Sequence, residues 1–347
     1  MTIVAAMFDH VVGIDTHARS HTLCVVETRT GAVIDAATFP TTKPGLTRAV
    51  SWVRRRCPNG VLAAVEGTSS YGASIAAALE CEGIEVTEVR PASKAAHAHA
   101  GKSDSIDAEW AARSVIGRDY DRLARPRHNG KRAALRVLLA ARHLLDNQRT
   151  ANRNALIALV RSCDLGVDGR RPLTDHQVRT IAAWRVGRGA DPTSILRREA
   201  RRLATTVLEQ IELLAVNRQQ LQHASEELAP GLQETPGIGP VAAAILVCAY
   251  SHRGRVRSEA AFASLAGVAP LPASSGNTDR HRLSRAGDRQ LNRALDVIVR
   301  TRMSFDCETR DYVLRRRAEG RTNREIRRSL KRYVCRSVFR QLEATMA

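Results

Sequence analysis

Between residues 10 and 90 short apolar runs alternate with turn residues. Val11-Val12-Gly13-Ile14-Asp15 is one run, ending in a carboxylate, and a second follows from Thr22 to Val26 after a polar turn containing Thr16 and His17. Four to eight apolar residues bounded by turn signals predict buried strands. The pattern predicts strands at 11–15, 22–27, 32–38, 61–66 and 85–89. Short turns, one at Thr30-Gly31, separate the first three and predict an antiparallel meander. Pro44–Arg56 has helical spacing with proline near its start, and Tyr71–Glu82 is an Ala-rich helix former. Glu109–Val115 is another, with Asp104 and Asp107 near its beginning.

The predicted order βββαβαβα matches an α/β ribonuclease-H-like sheet, in which the first and fourth strands are neighbours. That arrangement would bring Asp15 and Glu66 to one sheet end, where open α/β sheets keep their ligands. Arg125–Gly130 reads as a linker. Lys131–Ser162 and Thr193–Leu228 then predict two helices of roughly 30 residues, each about 45 Å long, paired as an antiparallel coiled hairpin. The stretch 166–192 between them is rich in turn residues and reads as irregular. Helices are expected at Val241–Ala249, Arg289–Met303 and along Arg310–Ala347. Three domains follow: 1–117, a helical coiled-coil middle at 118–230, and a mainly α region at 231–347.

Charge changes the picture. The 347 residues carry 54 Lys and Arg against 35 Asp and Glu, a net +19. Residues 1–115 hold 11 basic and 12 acidic side chains, whereas 116–347 hold 43 and 23. A solvated arginine-rich surface from a GC-rich genome accounts for abundant arginine but not for this asymmetry, which implies a polyanionic partner, most simply nucleic acid. The seven cysteines are scattered without a CxxC, as expected of reduced cytosolic thiols. No long apolar run or secretory signal pattern is present, so a cytoplasmic protein without a membrane span is expected.

Asp15, Glu66, Asp104 and Asp107 are the candidate chemistry of the first region. Singly, Asp15 could be a turn residue, Asp104 a helix N-cap, and Asp107 a first-turn acid favouring the helix dipole. Together at one sheet end, four carboxylates would repel unless cations lie between them. Oxygen-rich sites of this kind suit Mg²⁺ or Mn²⁺, which can clamp the oxygens of a phosphoryl transfer. Farther on, Gly237 and Gly239 in Thr235-Pro236-Gly237-Ile238-Gly239-Pro240 form a helix-hairpin-helix-like signature whose backbone N–H groups can meet phosphate, although a plain Gly/Pro turn capping a helix looks the same. Ser274-Ser275-Gly276 lies in a loop followed by Arg280, Arg282, Arg285, Arg289 and Arg293, which could offset charge on a phosphate under attack.

Three spaced motifs, Gly13-Ile14-Asp15, Glu66-Gly67-Thr68-Ser69-Ser70-Tyr71-Gly72 and Lys102-Ser103-Asp104-Ser105-Ile106-Asp107-Ala108, resemble the DEDD, RuvC-like domain of insertion sequence 110 family transposases, relatives of the Piv-type DNA invertases. The PGIGP, AGVAP, Ser-Ser-Gly and Ser284-Arg285-Ala286-Gly287-Asp288 stretches resemble that family's C-terminal serine transposase domain. The family's usual Lys-x-Gly-Asn appears here as Arg285-Ala286-Gly287-Asp288. The resemblance implies that Asp15, Glu66, Asp104 and Asp107 bind metal, that Ser275 (or its neighbour Ser274) is a nucleophile forming a phosphoserine link to DNA, and that Lys102 and the arginines bind nucleic acid. It further implies a homodimer or homotetramer acting on element ends and target DNA, guided by a structured noncoding RNA. Two other readings fit the residues: a RuvC-like nuclease or junction resolvase that uses water as nucleophile, and a non-catalytic nucleic-acid-binding module.

Overall fold

The computed structural model describes residues 2–90, 103–126, 130–187, 189–272, 281–282 and 287–346. These fall into two units, Met1–Asn129 and Gly130–Ala347.

The first unit runs α1 (Val4–Met7), β1 (His10–Thr16), β2 (Ser20–Glu27), β3 (Val33–Pro40), α2 (Lys43–Arg56), β4 (Val61–Glu66), α3 (Ala73–Cys81), β5 (Glu85–Val89) and α4 (Asp104–Ile116). The strands form one mixed sheet in the order β3-β2-β1-β4-β5. β1 pairs antiparallel with β2 and parallel with β4. This is the ribonuclease-H-like order expected from the sequence.

Successive strand side chains face opposite sides of a sheet, and here both sides are covered. Val12, Ile14, Leu23, Val25, Ala63 and Val65 pack with α2 and α3. Val11, Cys24, Val26, Leu62 and Ala64 pack with α4. That two-sided burial is why β1 and β4 read as continuous apolar runs instead of alternating. The α4 face offers only small side chains to the sheet centre, Ala108, Ala111 and Ala112, with Val115 beyond. Gly13 faces them, and a Cβ added there would lie 1.9 Å from the Ala108 carbonyl oxygen and 2.5 Å from the Ala112 nitrogen. The absent side chain lets the helix backbone rest on β1.

The second unit is almost wholly helical among its described residues: α5 (Gly130–Ser162), α6 (Asp175–Ala182), α7 (Pro192–Leu228), α8 (Pro240–Tyr250), α9 (Glu259–Leu265), α10 (Arg289–Phe305), α11 (Cys307–Ala318) and α12 (Asn323–Thr345), with a two-residue ladder, β6 (Leu271–Pro272) to β7 (His281–Arg282). α5 and α7 pair antiparallel. Polar groups between them fix the register: Arg142 Nη1 donates to the Leu214 carbonyl (3.1 Å), Asn217 Nδ2 to the Leu138 carbonyl (3.0 Å), and Asn152 Nδ2 to Gln210 Oε1 (3.2 Å). The core of the C-terminal helices surrounds α8 and contains the buried rings of Tyr250, Phe262 and Phe339.

One sequence expectation needs correction. The stretch 166–192 is not wholly irregular, because α6 lies inside it. Thr174 and Gln177 form a reciprocal capping box, and Val178 and Ile181 are buried; eight residues are too few for helical periodicity to stand out, but the Thr-x-x-Gln cap is a readable start signal. The tail is helical as expected and forms two helices, α11 and α12. It breaks at Gly320, whose φ is +79°, and restarts with a second capping box between Thr322 and Glu325. Among the described residues no helix is long and apolar enough to cross a membrane.

Candidate metal centre

The site assembles at the C-terminal ends of β1 and β4. Their parallel register pairs Ile14 with Val65, so the next residues along, Asp15 and Glu66, are neighbours. Both stand on the α4 side of the sheet, in phase with Val11 and Gly13 on β1 and with Leu62 and Ala64 on β4. Thr16 Oγ1 donates to the Glu66 carbonyl at 3.0 Å and ties the two strand ends together. Beyond Glu66 the chain turns sharply. Gly67 has φ +60°, and a Cβ on Gly72 would lie 2.4 Å from the Glu66 carbonyl oxygen, so the spaced glycines of this motif serve a turn that larger residues would obstruct.

α4 supplies the remaining acids. Its N-cap is Ser103, whose side chain accepts from the Ile106 N–H. Asp104 is therefore the first helical residue and not the cap, and Asp107 follows in the first turn. Because α4 lies directly over Gly13, its start is delivered to the sheet end.

His17 joins them, just past β1. Its Nε2 is 3.0 Å from Asp15 Oδ2 and 3.5 Å from Asp104 Oδ1. One ring nitrogen thus stands between two carboxylates, where a cation would be expected. Ligand atoms of Asp15, His17 and Asp104 all lie within 4.8 Å of one another. His17 was missed as a site residue in the sequence. The available signal was its spacing of two from Asp15, which keeps both residues on one side of an extended chain.

The electrostatics agree with the geometry. Burial pushes the Asp15 carboxyl above the usual carboxylate range; His17 opposes this, while the charges of Asp104 and Asp107 push it further up. Burial likewise raises Glu66, with Asp15 and Asp107 adding to the effect and His17 opposing it. The charges of Asp104 and Asp107 thus reach Asp15, and those of Asp15 and Asp107 reach Glu66. The donor set, carboxylates with one imidazole, fits a divalent cation of the Mg²⁺ or Mn²⁺ type, with imidazole tilting the preference toward Mn²⁺.

In the second unit, Gly237 (φ +81°) approaches α10 closely, since an added Cβ would meet the Ile298 carbonyl oxygen at 2.9 Å. Gly239 is the N-cap of α8 and has open space where a side chain would be. Gly287 rests on the Gly267 backbone, where a Cβ would lie 2.4 Å from the Gly267 nitrogen. The Asp288 N–H donates to the Leu265 carbonyl (2.7 Å), and Asn292 Nδ2 donates to the Ala266 carbonyl (2.7 Å). The Ala-Gly and Gly-Asp motifs are thereby docked backbone to backbone. Arg289 and Arg293 are exposed on one face of α10. Lys102, Ser274, Ser275, Arg280 and Arg285 lie outside the described residues, as does the side chain of Arg282, whose backbone belongs to β7.

Comparison with known proteins gives three matches. A DEDD transposase profile of the IS110 type matches residues 12–163, the stretch that holds all four acids. A profile described as "Transposase IS116/IS110/IS902 family" matches residues 229–314. The "Insertion element IS110 uncharacterized 43.6 kDa protein" of Streptomyces coelicolor is 34% identical over 116 residues, which is 33% of this chain and 29% of that protein. The alignment thus spans under a third of that relative. With both profiles in order along one chain, the chain belongs to the IS110 family of transposases.

Proposed function

We propose that the protein is a transposase that cleaves and rejoins DNA strands at the ends of an insertion sequence. What supports this reading is the gathering of Asp15, His17 and Asp104 within 4.8 Å of one another, with charge effects that link Asp107 to Asp15 and both of these to Glu66. Asp15, Glu66, Asp104 and Asp107 would hold Mg²⁺ or Mn²⁺, with His17 as a further donor. A bound cation there supplies positive charge to the oxygens of a phosphate undergoing displacement. The protein's own part is to hold the acids in place through the Gly13–α4 contact and the Thr16–Glu66 bond.

In the same reading Ser275 is the nucleophile. Its Oγ bonds to the DNA phosphorus, the hydroxyl proton leaves, and the displaced deoxyribose oxygen departs as a hydroxyl. Attack by another strand's hydroxyl reverses the step and frees the serine. The first unit would be RuvC-like, 118–230 a coiled-coil spacer, and 231–347 the serine domain with its helix-hairpin-helix-like element. Lys102, Gly237, Gly239, Arg280, Arg282, Arg285, Arg289 and Arg293 would contact nucleic acid. A structured guide RNA, a homodimer or homotetramer, and a cytoplasmic, nucleoid-associated location complete the reading.

The experiment is a covalent trap. Protein, element-flanking RNA and DNA carrying the element ends are incubated with Mg²⁺, denatured and separated. A protein–DNA adduct that disappears in both Ser275→Ala and Asp15→Ala is expected. DNA cleaved without an adduct, and equally by Ser275→Ala, would assign a hydrolytic nuclease using water instead.

A further inference from the structure

A groove of about 400 Å³ opens between α10, α11 and α12 of the second unit. Its floor is apolar: Leu330 and Val334 are buried there. Its walls combine aromatic rings with guanidinium groups. Tyr333, one of the lining residues, is 56% exposed. It meets Tyr312 edge to face, with centroids 6.1 Å apart and planes at 80°. The guanidinium carbons of Arg315 and Arg316 sit 5.6 and 6.0 Å from the Tyr312 ring centroid. Tyr312 therefore already has its ring partners, whereas Tyr333 keeps open aromatic surface.

Arg302 and Arg315 also line the groove. Neither forms an ion pair with a carboxylate among the described residues. Arg302 is anchored instead by its Nε, which donates to the Pro236 carbonyl at 2.7 Å. Glu308 is the one acid in the lining, against these two arginines. The helices on either side add Arg316, Arg317, Arg327, Arg328 and Arg332.

We propose that this groove holds an unpaired base of a single-stranded nucleic acid, stacked on Tyr333, with Arg315 meeting the adjoining phosphate. The inference rests on the reading of the protein as a nucleic-acid enzyme and adds a specific site to it. An exposed tyrosine offers a flat apolar face on which any base can stack, and neighbouring guanidinium groups meet the backbone charge. Duplex DNA keeps its base faces stacked on each other, so the groove favours unpaired strands. An acidic peptide would satisfy the arginines but leave the open face of Tyr333 without a partner.

The test uses the full-length protein and fluorescence anisotropy. The probes are labelled oligonucleotides of about a dozen nucleotides: single-stranded DNA, single-stranded RNA, blunt duplex DNA, and a single strand of abasic residues. Tyr333→Ala is compared with Tyr333→Phe, which keeps the ring. Stacking of one base predicts a loss of about 5- to 150-fold for single strands in Tyr333→Ala. Tyr333→Phe should bind like the wild type, and duplex binding should be unchanged in both. The abasic strand should bind wild type and Tyr333→Ala alike, because it lacks the face that stacks. Tyr333-dependent binding confined to the RNA or the DNA arm names the strand the groove serves. Single-strand binding that survives Tyr333→Ala, or a loss shared equally by duplex, overturns the proposal. Wild-type protein that binds none of the probes overturns the nucleic-acid reading itself. Because Tyr333 is exposed, the variant should fold, and an unchanged unfolding transition confirms it.

Discussion

Gly13 connects the sheet to the acids proposed to bind metal, so Gly13→Ala is the most informative single change. The new methyl would sit 1.9 Å from the Ala108 carbonyl oxygen, against the 3.4 Å or more of ordinary contact. The obstacle is backbone, so no rotamer change relieves it. β1 and α4 must separate by about 1.5 Å. Two effects on stability oppose each other. Replacing glycine stiffens the unfolded chain and is worth about 0.4–1 kcal/mol. Overpacking of this kind costs about 1–3 kcal/mol. Strain should therefore win, and the melting temperature should fall. The larger consequence lies at the site. Metal–oxygen distances must hold to within about 0.2 Å, so a shift of more than 1 Å between Asp15 and Asp104 breaks the set. Calorimetric titration of the folded variant with Mn²⁺ should show an affinity loss of at least roughly 10- to 100-fold, the scale seen when groups that orient metal ligands are removed. Gly117→Ala is the control. It sits at the other end of α4, where a Cβ meets nothing within 4 Å, and it should leave binding unchanged. Wild-type Mn²⁺ affinity in Gly13→Ala would refute the role given to the α4 contact.

Two further substitutions bear on the same site. Asp15 has its carboxyl raised above the ordinary value of 3.8, so its ionised form is disfavoured in the metal-free fold. By linkage that cost is absent below about pH 4 and grows until the pH passes the raised value. Asp15→Asn should thus melt higher than wild type at neutral pH without metal, gain little near pH 4, and lose the rise in melting temperature that Mn²⁺ confers. A lower melting point for the metal-free variant at neutral pH would contradict this. His17→Ala should weaken Mn²⁺ by about tenfold or more and Mg²⁺ by less, since imidazole suits the former better; calorimetry showing equal losses for both ions, or no loss, would remove His17 from the ligand set.

Much of the site was legible as text. Asp15 and Glu66 each end an apolar run, and a strand buried on both faces has few other ways to present a carboxylate. Asp104 and Asp107 lie where a helix must begin, although the cap proved to be Ser103. The helix α6 hid because eight residues carry too little periodicity. His17 hid because nothing near it in sequence resembles a ligand pattern; one of its partners, Asp104, comes from a helix far along the chain. Tyr312 and Tyr333 sit on separate helices, and only helix packing brings their rings together.

By itself the sequence determined most of the elements, the strand order's class, the charge asymmetry and the four candidate acids, because each depends on residue type and local period. The tertiary structure decided how closely α4 rests on β1, which histidine stands between two acids, and which arginines share a groove with the exposed Tyr333. Those depend on contacts between residues distant in the chain, and such contacts leave no local period to read.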